Sequence, residues 1–79
     1  MVGLTYYCDK ARHLVCVPYS EENLDRMAAD LGIKRCWRHR GSYLHYDIPK
    51  RRVAEIASRC RVVDTRTILA IVKGEFTGK

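Results

Sequence analysis

At 79 residues the chain makes one domain, and a fold of that size buries only somewhat more than ~60% of its unfolded surface, too thin a core to enclose a large substrate cavity. Apolar residues at 47% and charged residues at 30% exclude intrinsic disorder, and the longest apolar run, 68–72, falls far short of the ~20 residues of a membrane span. The net charge of +6 is uneven, −2 over residues 1–33 and +8 over residues 34–79, an asymmetry that points to a face built for an anionic partner; with so short an apolar run, no membrane partner is expected.

The pattern reads as a small α+β domain over 1–79. The opening residues lack a basic flank, an apolar stretch and a cleavage site, so a cytoplasmic protein is expected, in the host if phage-encoded, with Cys8, Cys16, Cys36 and Cys60 as free thiols. Residues 4–8 and 13–17 are expected strands, the second closed by Pro18. Over 21–31, Ser20 is a good N-cap, Glu21 and Glu22 suit the first turn, Tyr19 and Leu24 form a hydrophobic staple, and Gly32 supplies the stop. Leu24, Met27, Ala28 and Leu31 give the buried stripe, with a solvated acidic face opposite.

Residues 33–39 and 43–47 read as a hairpin around Arg40-Gly41-Ser42. Pro49 opens a helix over 50–60, buried through Val53, Ile56, Ala57 and Cys60. Residues 61–63 form a short strand. The stretch 65–73 is a helix capped by Asp64 or, being rich in β-branched residues, a strand, so two or three helices are expected. Residues 75–79 are an expected frayed tail.

Three features can carry chemistry. The hairpin segment holds Lys34, Arg35, Arg38 and Arg40 with Trp37. As a strand it would put Lys34, Cys36, Arg38 and Arg40 on one face and Arg35, Trp37 and His39 on the other. Arginine offers a planar fork to phosphate and tryptophan a stacking surface for a base, although a chain this small also needs Trp37 for its core. Lys50, Arg51 and Arg52 lie in a first helical turn, where cations oppose the dipole by ~0.3–1 kcal/mol each, and together with free backbone N–H groups they would suit an anion.

His45 and Asp47 alternate on one strand and so share a face, an arrangement that can hold a histidine as a base. No nucleophile motif, P-loop or paired-carboxylate motif accompanies them. Cys36-x-x-His39 has zinc-like spacing, but a closed site takes four ligands and no second pair of this kind follows. Neither metal nor cofactor is expected.

His13-Leu14, Leu24, Ala28-Ala29, Leu31-Gly32, Arg35, Trp37 and His45-Tyr46-Asp47 together resemble a family of short bacterial and bacteriophage proteins catalogued as a domain of unknown function. The match covers roughly residues 9–65, with Val17-Pro18 and Cys60-Arg61 departing from the pattern. The resemblance implies a prokaryotic or phage setting and, for any shared polar site, Asp9, His13, Arg35, His45 and Asp47. The leading functional expectation is a basic, non-enzymatic binding module for nucleic acid or for an acidic surface of a nucleic-acid-handling host protein, acting as inhibitor or regulator. The alternative is a small hydrolase or nuclease using His45 and Asp47.

Overall fold

A computed structural model describes residues 3–41 and 43–76. A five-stranded sheet runs in the order β3-β4-β2-β1-β5, formed by β1 (Thr5–Cys8), β2 (His13–Val17), β3 (Arg38–His39), β4 (His45–Asp47) and β5 (Arg61–Val62). All neighbours are antiparallel except β1 and β5, which are parallel. Helices α1 (Glu21–Leu31), α2 (Val53–Ala57) and α3 (Thr65–Val72) complete the α+β domain.

β2 is the centre of the molecule because successive residues, Leu14, Val15 and Cys16, are all fully buried. A strand whose alternate side chains both leave solvent has to be covered on both faces. On one face Tyr6 and Tyr46 reach Asp30 and Asp25 of α1 through their hydroxyls, at 2.7 and 2.8 Å. On the other, His13 and His45 meet Ile68, Leu69 and Val72 of α3. Helix α1 follows its local signals closely. The Ser20 side chain accepts from the Asn23 N–H at 3.1 Å. At the far end Gly32 sits at φ 70°, its N–H and that of Ile33 donating to Ala29 and Ala28, a Schellman stop. No described helix is long and apolar enough to cross a membrane.

Residues 33–39 are not the continuous strand expected. The Ile33 N–H is consumed by the helix stop, Arg35–Trp37 form one 3₁₀ turn, and only Arg38 and His39 pair, with Tyr46 and His45. The physical reason is the partner's length: β4 has three residues, so nothing is available to ladder with 33–37. The proposed two-sided alternation of 34–40 therefore does not exist. The turn lets Trp37 lie half-buried against the core. The loop to β4 includes Ser42, which lies outside the described residues.

The 50–60 helix is also shorter than its periodicity suggests. Lys50–Arg52 form a 3₁₀ turn with no side-chain cap, and α2 proper ends at Ala57 because Arg59 and Cys60 close turns of i→i+3 type on Ile56 and Ala57. The ambiguous 65–73 stretch is a helix, since Asp64 accepts from the Thr67 N–H at 2.9 Å and Ile68 and Ile71 bury against the sheet. Glu75 and Phe76, expected in a frayed tail, are held: the Glu75 N–H donates to Ala70 and Phe76 packs edge-on against Tyr7 with ring centroids 5.3 Å apart. Residues 77–79 lie outside the described residues.

Arg52 spans two elements. Its guanidinium donates to the carbonyls of Leu31 at 2.6 Å and Gly32 at 2.8 Å and pairs with Glu55 at 2.8 Å. A cation there satisfies the carbonyls left open at the end of α1 and suits the negative pole of that helix. Arg51 is exposed and makes no ion pair among the described residues. Arg52→Glu is therefore expected to lower the melting temperature by several degrees and Arg51→Glu to leave it unchanged. Equal effects in thermal denaturation would remove this role for Arg52.

Candidate functional site

The end of the sheet where β1 finishes and β2 begins gathers all three histidines of the chain with Asp9 and Asp47. Asp9 follows β1 directly and is 5% exposed. Its Oδ1 accepts from the His13 backbone N–H at 2.9 Å, and its Oδ2 lies 2.8 Å from His13 Nδ1 and accepts from Thr65 Oγ1 at 2.8 Å. Burial pushes the Asp9 carboxyl up, but the donors from His13 and Thr65 together outweigh it and hold the group below its ordinary value. An ionised carboxylate only accepts, so His13 Nδ1 carries the hydrogen of this bond, an assignment that follows from the hydrogen-bond pattern.

His13 pairs across the ladder with Asp47, which brings β4 into the same cluster. The His45 ring stands edge-to-face against His13, with centroids 5.3 Å apart, and stacks on His39 at 5.7 Å. His45 Nδ1 lies 2.9 Å from the Tyr43 carbonyl, a pure acceptor, and its Nε2 lies 3.3 Å from Asp47 Oδ1. The other Asp47 oxygen is 3.1 Å from His39 Nε2. Both His45 nitrogens thus face acceptors. Beside these rings lies a cavity of about 150 Å³, lined by His13, His45, Tyr43 and Thr65 on its polar side and by α3 on its apolar side. Among the described residues no group of three or more His, Cys, Asp or Glu side chains is arranged to hold a metal ion.

Of the residues singled out in the sequence, Asp9, His13, His45 and Asp47 come together here. Arg35 does not: it pairs with Asp25 at 3.5 Å, on the side of the sheet that Tyr46 faces. The basic hairpin is largely spoken for. Arg38, only 6% exposed, pairs with Glu21 and Asp25, and Arg40 lies 3.2 Å from Glu21. Arg59 meets Asp30 at 2.9 Å. The acidic face of α1 is thus not simply solvated, because the basic second half of the chain folds onto it. Trp37, half-buried, offers little free stacking surface. Lys34, Lys50 and Arg51 are exposed and make no ion pair among the described residues.

Sequence reasoning missed Thr65 and gave His39 no place here. Thr65 lies 56 residues from Asp9, beyond any local signal. The pairing of His39 with His45 was legible in principle from the hairpin, but the loop is longer than a turn over 40–42.

Asp9→Ala is expected to destabilise the fold by about 1–3 kcal/mol in urea denaturation, since it leaves several donors without their acceptor. Because the folded carboxyl titrates below its unfolded value of ~3.9, its contribution is present above that pH and is lost as pH falls through the folded value. Asp9→Asn should therefore show a shallower loss of stability below pH ~4 than the parent; identical acid limbs would show that the carboxylate contributes nothing.

No curated protein and no solved structure matches the chain. A family model described as Protein of unknown function (DUF4031) matches residues 8–75, a span that contains Asp9, His13, His45, Asp47 and Thr65, and the chain belongs to that family.

Proposed function

We propose that this protein is a small binding module for the phosphate backbone of nucleic acid and that it docks through the sheet end carrying the histidine–aspartate cluster. The observation that carries this reading is where positive charge remains once the internal ion pairs are made. Lys10 lies in the β1–β2 turn, Lys50 and Arg51 follow β4, and Arg66 lies in the first turn of α3; all four are exposed and without an ion pair among the described residues. Backbone bonds draw these segments together. The Ile48 N–H donates to Arg12 at 2.9 Å and the Val63 N–H to Cys8 at 2.8 Å. Asp9, Asp47 and Asp64 lie among them, but each is engaged: Asp9 with His13 and Thr65, Asp47 with His39 and His45, Asp64 with Thr67.

Exposed cations of this kind, without an ion pair among the described residues, support attraction of a polyanion. The anion site expected at 50–52 is narrowed by the use of Arg52 elsewhere and is better drawn around Lys50, Arg51 and Lys10. The setting we propose is the reducing cytoplasm of a bacterium or a phage-infected host, with interference in host nucleic-acid machinery as the biological role. The buried thiols support the reducing setting: burial pushes Cys16 up to about 12, which keeps it an inert hydrophobe.

Fluorescence anisotropy with labelled random-sequence single- and double-stranded DNA and RNA tests the reading. Binding is expected to weaken with salt, and Lys50→Ala with Arg51→Ala should reduce the slope of log K against log salt by about 2, roughly one for each lost phosphate contact. Arg40→Ala, on the α1 side, should change it little. Absence of binding at low salt for every probe would move the partner to an acidic protein surface.

A further inference from the structure

We propose that the cleft between the β5 edge of the sheet and α3 is a separate binding site for a nucleoside monophosphate, with Arg61 and Arg66 taking the phosphate. It goes beyond the nucleic-acid reading, because this cleft shares no lining residue with the histidine cavity. The observation that carries it is which arginines the fold leaves over. Arg26, Arg35, Arg38, Arg40, Arg52 and Arg59 stand in ion pairs, and the Arg12 guanidinium donates to the Ile48 carbonyl at 3.3 Å. Among the described residues only Arg51, Arg61 and Arg66 have neither kind of partner, and Arg61 and Arg66 line one and the same cleft. Arg66 also lies in the first turn of α3, where a cation opposes the helix dipole, so the helix gains nothing from its charge.

Tertiary pairing assembles the lining. β1 and β5 run parallel with Tyr7 opposite Arg61, and the Val63 N–H donates to the Cys8 carbonyl at 2.8 Å just before α3. Beyond α3 the Glu75 N–H returns to the Ala70 carbonyl at 2.8 Å, which sets Phe76 edge-on against Tyr7. The cleft so formed has a volume of about 390 Å³, within the ~300–1,000 Å³ of small-molecule sites. Tyr7, Val63 and Phe76 give it an apolar wall, and Arg61 and Arg66 a cationic one. Glu75 lines it too, so two guanidiniums face one carboxylate and an anion is still attracted. Each guanidinium offers a planar fork of N–H donors that matches phosphate oxygens, and two of them suit a doubly charged phosphate monoester. The half-buried Phe76 ring is a stacking partner for a planar base, and the Glu75 carboxylate accepts from ligand hydroxyls. Phosphate, ring and hydroxyls together are the chemistry of a nucleotide, which a free mononucleotide and the phosphorylated 5′ end of a strand both carry.

Calorimetric titration of the purified chain with AMP tests the site, with adenosine and ribose 5-phosphate as controls. AMP is expected to bind at least ~10-fold more tightly than either. Arg61→Gln and Arg66→Gln should each weaken AMP by at least ~10-fold, whereas Arg51→Gln, at the third unpaired arginine, should leave it unchanged. Both cleft arginines are exposed, so the melting temperature of each variant should stay near that of the parent. Phe76→Leu should weaken AMP and leave ribose 5-phosphate unaffected. A 5′-phosphorylated oligonucleotide compared with its 5′-hydroxyl twin separates the two sources. A phosphate-dependent gain that Arg61→Gln abolishes assigns the cleft to strand ends, and AMP binding without such a gain assigns it to the free nucleotide. Absence of AMP binding, adenosine or ribose 5-phosphate binding as tightly as AMP, or an equal loss from Arg51→Gln overturns the inference. Random-sequence strands that bind when AMP does not leave the nucleic-acid reading intact, and AMP binding without them leaves this site intact.

Discussion

A carboxylate removed from water must be met by donors from within the protein, and the Asp9 side chain, 1% exposed, imposes that condition on the rest of the molecule. Its partners come from two places: the His13 backbone and ring across the β1–β2 turn, and the Thr65 hydroxyl at the start of α3. Meeting it ties the helix that closes one face of the sheet to the strand at its centre. That junction leaves the cavity between α3 and the histidines, and it turns His13 so that Nδ1 points inward to Asp9. A single buried charge thus links the packing of α3, the shape of the cleft and the hydrogen-bonding state of the ring beside it.

The charge asymmetry has a second physical consequence. Two oppositely charged halves of one chain attract, and much of the arginine surplus settles on α1, where Arg38 reaches Glu21 and Asp25, and Arg59 reaches Asp30. Most of these pairs are solvent-exposed and individually contribute little to stability. Arg38 differs because it is nearly buried and shares Asp25 with the Tyr46 hydroxyl, which orients the β3–β4 hairpin against the helix. The pairing offsets much of the excess charge on the α1 side, while Lys10, Lys50, Arg51 and Arg66 are exposed and without an ion pair among the described residues. A net charge is therefore a poor guide to where a partner binds until the internal pairs have been subtracted.

Local signals were legible where the chain decides its conformation over a few residues. Ser20 and Gly32 bound α1 at both ends through bonds to the helix's own backbone, and alternation put His45 and Asp47 on one face of β4 with Tyr46 on the other, as the ladder requires. Expectations failed where length depended on a partner. Residues 33–37 are apolar and aromatic enough to be a strand, but a ladder needs a second strand of equal length and β4 has three residues. Helix 50–60 shortened for a related reason: only Ile56 is fully buried in α2, too small a contact to hold two further turns.

By itself the sequence determined the α+β class, the capped first helix, the buried central strand and the residues Asp9, His13, His45 and Asp47 as polar positions of interest. Each follows from periodicity, capping or resemblance, all properties of neighbours in the chain. Tertiary structure alone decided that these four residues meet, that Thr65 joins them, that Arg52 serves the end of α1, and which cations remain unpaired. Those outcomes depend on contacts between residues far apart in sequence, where the energy of pairing a buried charge or closing a helix end outweighs any local preference.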